Sequence, residues 1–167
     1  MARIGFSTQR GNPVSATIRF FTGSKTSHAW LLVVDPLFDM ELVMEAHELG
    51  FRLVPFKTFR KNNRIVALID PGHPLEPGIR EAAKWLGSIY DFAGLFGMLF
   101  VMLGRVLKRK WKNPFRSARS MFCSEAVVRV LRASGYPGAE RLSPENTTPQ
   151  DLLDFFEKQR APAAVTP

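Results

Sequence analysis

A single cysteine stands in the 167-residue sequence, which rules out any intrachain disulfide and any multi-cysteine zinc site. That thiol, Cys123, is therefore either a small buried apolar group or a chemical reagent. Histidine is also scarce, with three residues at positions 28, 47 and 73, so few imidazoles are available as a base. Long apolar runs are missing too. The longest uncharged stretch, 92–104, falls short of the roughly 20 residues that cross a bilayer. The opening Met1-Ala2-Arg3-Ile4-Gly5-Phe6 is too brief for a secretory core before Ser7-Thr8-Gln9-Arg10 interrupts it, and the expected location is a reducing cytoplasm.

What is present is ordinary globular material: 46% hydrophobic and 23% charged residues, with 12 Gly and 12 Pro. One domain over 1–160 is expected, followed by a loose tail at 161–167. The net charge is +8, and much of the excess sits at Lys108, Arg109, Lys110, Lys112, Arg116 and Arg119, directly after the apolar stretch. An apolar segment followed by basic residues has the pattern of an interfacial element for anionic lipid. A buried helix or a pocket lid with a solvated basic end fits the same 92–119 pattern. Nucleic acid is the poorer partner, because only Trp111 and Phe115 interleave the cations and no recognition motif accompanies them.

The pattern along the chain is strands first and helices second, which predicts an α+β fold with a small antiparallel sheet packed against helices. A short helix is expected at 13–21, and an apolar strand at 29–34 closed by Asp35-Pro36. Segments 42–46 and 51–55 flank His47-Glu48-Leu49-Gly50 and read as a hairpin, with Gly50 supplying the unusual backbone angle. A further strand covers 64–69. Helical spacing then runs from Pro77 to Tyr90 and again over 122–133, with Gly135 as its stop. Thr148-Pro149-Gln150-Asp151 is a helix start, with a capping hydroxyl, proline at the first position and an acid in the first turn.

Cys123 falls at the start of the 122–133 helix, where unpaired amides and the helix dipole favour a thiolate. His28 opens the 29–34 strand, so its ring belongs at a strand mouth, as a general base requires. Glu45 lies in a strand expected to pair with it and could orient the imidazole; His47, two residues on along the same face, is the rival for that position. A thiol at a helix start, a base and an orienting group are the parts of cysteine-dependent acyl transfer.

The motifs Ser27-His28-Ala29-Trp30-Leu31-Leu32, Glu45-Ala46, Gly87-Ser88-Ile89-Tyr90-Asp91 and Phe122-Cys123-Ser124-Glu125 resemble those of the circularly permuted papain-fold enzymes related to NlpC peptidases. The YiiX-like group and lecithin retinol acyltransferase belong there. Histidine first, polar residue second and cysteine last is the permuted order, and the resemblance runs roughly over 13–156. It implies Cys123 as nucleophile, His28 as base and Glu45 as orienting residue, with Tyr90, Ser27 and Ser124 against the substrate. No metal or other cofactor is implied. The expected activity is a thiol hydrolase or acyltransferase acting on a peptide-like or acyl-chain amide or ester. The competing reading is a noncatalytic basic module that binds an anionic membrane or nucleic acid.

Overall fold

A computed structural model describes residues 2–9, 24–47, 50–87 and 123–160. Within them lie strands β1 (Arg3–Gln9), β2 (His28–Asp35), β3 (Met40–His47), β4 (Gly50–Pro55) and β5 (Asn63–Ile69). The helices are α1 (Phe56–Asn62), α2 (Glu76–Ala83), α3 (Cys123–Ala133) and α4 (Pro149–Arg160), with a 3-10 turn at Ala139–Arg141. The strands form one sheet in the order β4-β3-β2-β1-β5, each pair antiparallel. This is the α+β arrangement expected, a small antiparallel sheet against helices.

The strand not foreseen is β1, which sits between β2 and β5. Its Ile4 and Phe6 point into the main core, but the alternate positions are Gly5 and Ser7, so the apolar alternation that marks a strand is half absent. Each exception has a local cause. A Cβ on Gly5 would run into the indole of Trp30, the residue paired with it on β2. Ser7 is fully buried, and its Oγ accepts the Trp30 indole N–H at 3.1 Å. One tryptophan thus dictates both small residues.

Strand β2 ends in a turn in which Asp35 Oδ1 accepts the backbone N–H of Leu37 (2.9 Å) and Phe38 (3.0 Å). The β3–β4 hairpin closes at His47↔Gly50, with Gly50 at φ 118°. Helix α1 follows Pro55 and interrupts the expected run of strands. Its only apolar residues are Phe56 and Phe59, and seven residues carry too little period to be read in advance. It covers the second face of the sheet, where Phe59 joins Trp30, Leu32 and Val43 in a small cluster.

The other face carries the main core. Ile4, Phe6, Leu31 and Met44 from the sheet meet Val127, Leu131, Leu152 and Phe156 from α3 and α4. Helix α3 ends at a left-handed Gly135, where Tyr136 N–H reaches Leu131 O at 2.9 Å and satisfies a terminal carbonyl. Helix α4 starts as its sequence predicts. Asp151 N–H donates to Thr148 Oγ1 (3.1 Å) and Thr148 N–H donates to Asp151 Oδ2 (2.9 Å), a reciprocal capping box. The helix expected over 77–90 is shorter, because α2 ends at Ala83 and gives way to a turn through Gly87 at φ 81°. The expected helix at 13–21, the apolar stretch 92–104, the basic stretch after it and the 161–167 tail lie outside the described residues. No helix among the described residues is long and apolar enough to cross a membrane.

Candidate active site

The β2–β3 ladder ends at Leu31↔Met44, whereas β2 stays paired with β1 to His28 and β3 with β4 to His47. Beyond Leu31 and Met44 the two central strands therefore part, with His28 on one lip and Glu45 on the other. His28 is fixed from behind. Ser27 N–H donates to Ser7 O at 3.1 Å, and the buried Thr26 hydroxyl lies 3.0 Å from Ser7 O and 3.2 Å from His28 O. The Phe59 ring lies 6.3 Å from the imidazole and 4.9 Å from Trp30, giving the base an apolar wall.

Across the opening, His28 Nε2 is 2.7 Å from Glu45 Oε2. Glu45 is 2% exposed and could not stay ionised there without partners. Arg52 supplies the second one. Its Nε and a terminal guanidinium nitrogen donate to Glu45 Oε1 at 2.9 and 2.7 Å. The carboxylate thus divides its oxygens, Oε1 to Arg52 and Oε2 to His28. Burial pushes the Glu45 carboxyl up, but His28 and Arg52 outweigh it and hold the group below its ordinary value of 4.5.

The start of α3 completes the site. Cys123 is half-buried beside His28, and the imidazole together with the backbone N–H groups of Ala29 and Ser124 favours its thiolate. Since Nε2 faces Glu45, Nδ1 is the ring nitrogen left for the sulfur. Burial pushes the thiol up, yet the imidazole beside it and the two N–H groups bring it below its ordinary 9.0. For His28, burial lowers the imidazole and is overcome by Cys123 and Glu45, which push it up to about 10. The three directions agree on one state: thiolate, imidazolium and carboxylate in a row, with a guanidinium behind.

Cys123, His28 and Glu45, picked from the sequence, are thus brought together. His47 is half-buried at the end of β3, and it is Glu45 that meets the imidazole. His73 lies elsewhere, its Nε2 2.8 Å from Ser134 O. Ser27 is half-buried beside His28. The Ser124 hydroxyl is buried and donates to Thr147 O at 2.6 Å, tying α3 to the loop before α4. Only its backbone N–H faces the thiol. Tyr90 lies outside the described residues. Arg52 was missed, although the hairpin read from the sequence contains it. With a two-residue loop after His47, position 45 falls opposite position 52, a buried acid beside an arginine.

No family model matches the chain. No curated protein matches it either. Among solved structures, the chain is similar to the crystal structure of metalloprotein yiiX from Escherichia coli O157:H7, at a TM-score of 0.55 and 22% identity, over 80% of this chain and 64% of that one. The chain thus spans less than two thirds of that protein's length, and the likeness is one of fold. No group of three His, Cys, Asp or Glu among the described residues could hold an ion, and both Glu45 oxygens are already engaged, one of them by a cation.

Proposed function

We propose that this chain is a permuted papain-like enzyme of the NlpC-like superfamily, a thiol hydrolase or acyltransferase that cleaves an amide or ester through a thioester on Cys123. One observation carries the reading: a half-buried thiol at a helix start, beside an imidazole whose Nε2 lies 2.7 Å from a buried carboxylate. A structural cysteine needs none of these partners. The fold likeness to yiiX agrees with it.

The steps follow from the charges. With the thiol proton already on His28, the thiolate attacks the substrate carbonyl carbon, a C–S bond forms and the carbonyl electron pair moves to oxygen. N–H groups in the first turn of α3, which have no intrahelical acceptor, are suited to hold that oxyanion. When the carbonyl reforms, the C–N or C–O bond breaks and the leaving amine or alcohol takes the proton from His28. Water, or an acceptor hydroxyl or amine, then gives a proton to the neutral imidazole and attacks the thioester. The C–S bond breaks, the product leaves and the thiolate–imidazolium pair is restored. Glu45 orients the ring and favours its charged form throughout. The substrate class is a peptide-like or acyl-chain amide or ester.

The test is a burst experiment with p-nitrophenyl butyrate. The reading predicts release of one equivalent of nitrophenolate per Cys123 before steady turnover, with the butyryl mass on the Cys123 peptide. Cys123→Ser should lose the burst and keep its melting temperature within a few degrees. Loss of the fold in Cys123→Ser, or labelling elsewhere with Cys123 unmodified, would reject it.

A further inference from the structure

A surface arginine paired with a glutamate ordinarily contributes little, about 0–1 kcal/mol. Arg52 differs because only one partner is at the surface: the guanidinium is 36% exposed and Glu45 is 2% exposed. Both donated hydrogen bonds fall on the same oxygen, Oε1, at 2.9 and 2.7 Å, which leaves Oε2 for His28 Nε2 at 2.7 Å. The register makes this contact local, since Glu45 and Arg52 are directly paired across the β3–β4 hairpin. A lysine in that position would bring a point charge, without the planar fork that holds a carboxylate in one orientation.

We infer that Arg52 is a positioning residue, which keeps Glu45 ionised and turned so that its free oxygen serves His28. The inference rests on the cysteine chemistry proposed above and adds a fourth residue, which acts through Glu45. The groups around Glu45 among the described residues are few. His28 faces it from β2 and Arg52 from β4, while Cys123 of α3 acts through His28. His47 follows on β3, half-buried. Helix α1 turns Phe59 toward the imidazole and places Arg60 over Phe56, while Lys57, Lys61, Asp39 and Glu41 line a groove at the other end of β3.

Removing the guanidinium has two opposed effects. The Glu45 charge is less neutralised, which favours the imidazolium, but the buried carboxyl becomes easier to protonate, after which it supports the imidazolium no longer. Which effect wins depends on pH. Below the raised carboxyl value the second dominates, and above it the first. Arg52→Gln therefore leaves a signature that a general loosening of the fold does not.

The experiment is the rate of Cys123 alkylation by iodoacetamide against pH in the unmodified chain, Arg52→Lys, Arg52→Gln, Glu45→Gln and the double variant Glu45→Gln/Arg52→Gln. Arg52→Gln should add a second ionisation to the acid limb, above the ordinary carboxylate value of 4.5. Its rate should fall about tenfold for each unit by which Glu45 rises, and rejoin the unmodified curve by about pH 8. Arg52→Lys should recover part of the loss. In the Glu45→Gln background, Arg52→Gln should cause no further loss, because its support of the site runs through the carboxylate alone. A loss that is uniform across pH, or one that persists on top of Glu45→Gln, would overturn the inference, as would an Arg52→Gln profile superimposed on an activated unmodified thiol. If the unmodified thiol itself titrates like a free one, the proposed function fails first and the role of Arg52 with it.

Discussion

Glu45→Gln is the substitution whose consequences the geometry fixes most closely. The side chain keeps its shape and loses its charge, but the decisive change is in hydrogen-bonding capacity. Both neighbours of Glu45 can donate: Arg52 to Oε1 and the charged imidazole to Oε2. A carboxylate accepts on both sides, whereas an amide has one accepting oxygen and one donating nitrogen. If the amide oxygen faces Arg52, its NH2 meets His28 Nε2 and requires that nitrogen to be bare, so the imidazolium is disfavoured. If the oxygen faces His28, the NH2 meets the guanidinium, and Arg52 turns outward into solvent. Either way one charge-assisted hydrogen bond is lost, worth roughly 1.5–3 kcal/mol. At about 1.4 kcal/mol per unit, His28 should fall by roughly one to two units from its raised position, and the ratio of the thiolate–imidazolium pair to the neutral thiol–imidazole pair should drop about 10- to 100-fold. The assay is acylation of Cys123 by p-nitrophenyl butyrate at about pH 6, with melting temperature measured in parallel. Glu45→Gln should acylate more slowly, by up to about 10- to 100-fold, while remaining folded, and His28→Ala should be slower still because it removes the base itself. Glu45→Gln acylating at the unmodified rate, with its fold intact, would refute the role given to the carboxylate.

Two further outcomes are expected. The His28–Cys123 pair should stabilise the fold most between about pH 6.5 and 9.0, the two ordinary values. The raised imidazole contributes fully below 6.5 and its share is lost as pH rises toward about 10. The lowered thiol contributes fully above 9.0 and its share is lost as pH falls through its lowered value, so the two slopes oppose each other below 9.0. Denaturant titrations should show the gap between the unmodified chain and Cys123→Ala shrinking as pH rises from 9.0 toward about 10 and again in acid; a gap independent of pH would contradict the ion pair. In the sheet, Gly5→Ala places a methyl inside the indole of the fully buried Trp30 and should cost about 1–3 kcal/mol by overpacking, read from urea unfolding. An unchanged midpoint would mean that Trp30 is not held as described.

Much of this site was legible because its parts sit where sequence periodicity changes. Cys123 marks the first turn of a helix, His28 the first residue of a strand, and Glu45 a polar position inside an apolar strand. The resemblance to permuted papain-like enzymes put the three in order. Other features were hidden for physical reasons. Strand β1 shows half an alternation because Trp30 demands Gly5 and Ser7 opposite it. Helix α1 is held by Phe59 against Trp30, a tertiary contact that seven residues of sequence do not announce. The partner of the Ser124 hydroxyl was hidden as well: one step along a helix from Cys123 is about 100° of rotation, which turns it toward Thr147 O in a loop 23 positions away. Arg52 required a register, because its partner is seven positions away and adjacent only once the hairpin closes at His47↔Gly50.

The central claim is that Cys123 and His28 form an ion pair in the resting protein, and the most direct measurement is the pH dependence of Cys123 alkylation in the unmodified chain and in His28→Ala. The apparent thiol value should lie well below the ordinary 9.0 and return toward it when the imidazole is removed. A slow reaction with an ordinary thiol value, unmoved by His28→Ala, would contradict it and leave Cys123 an unactivated packing residue.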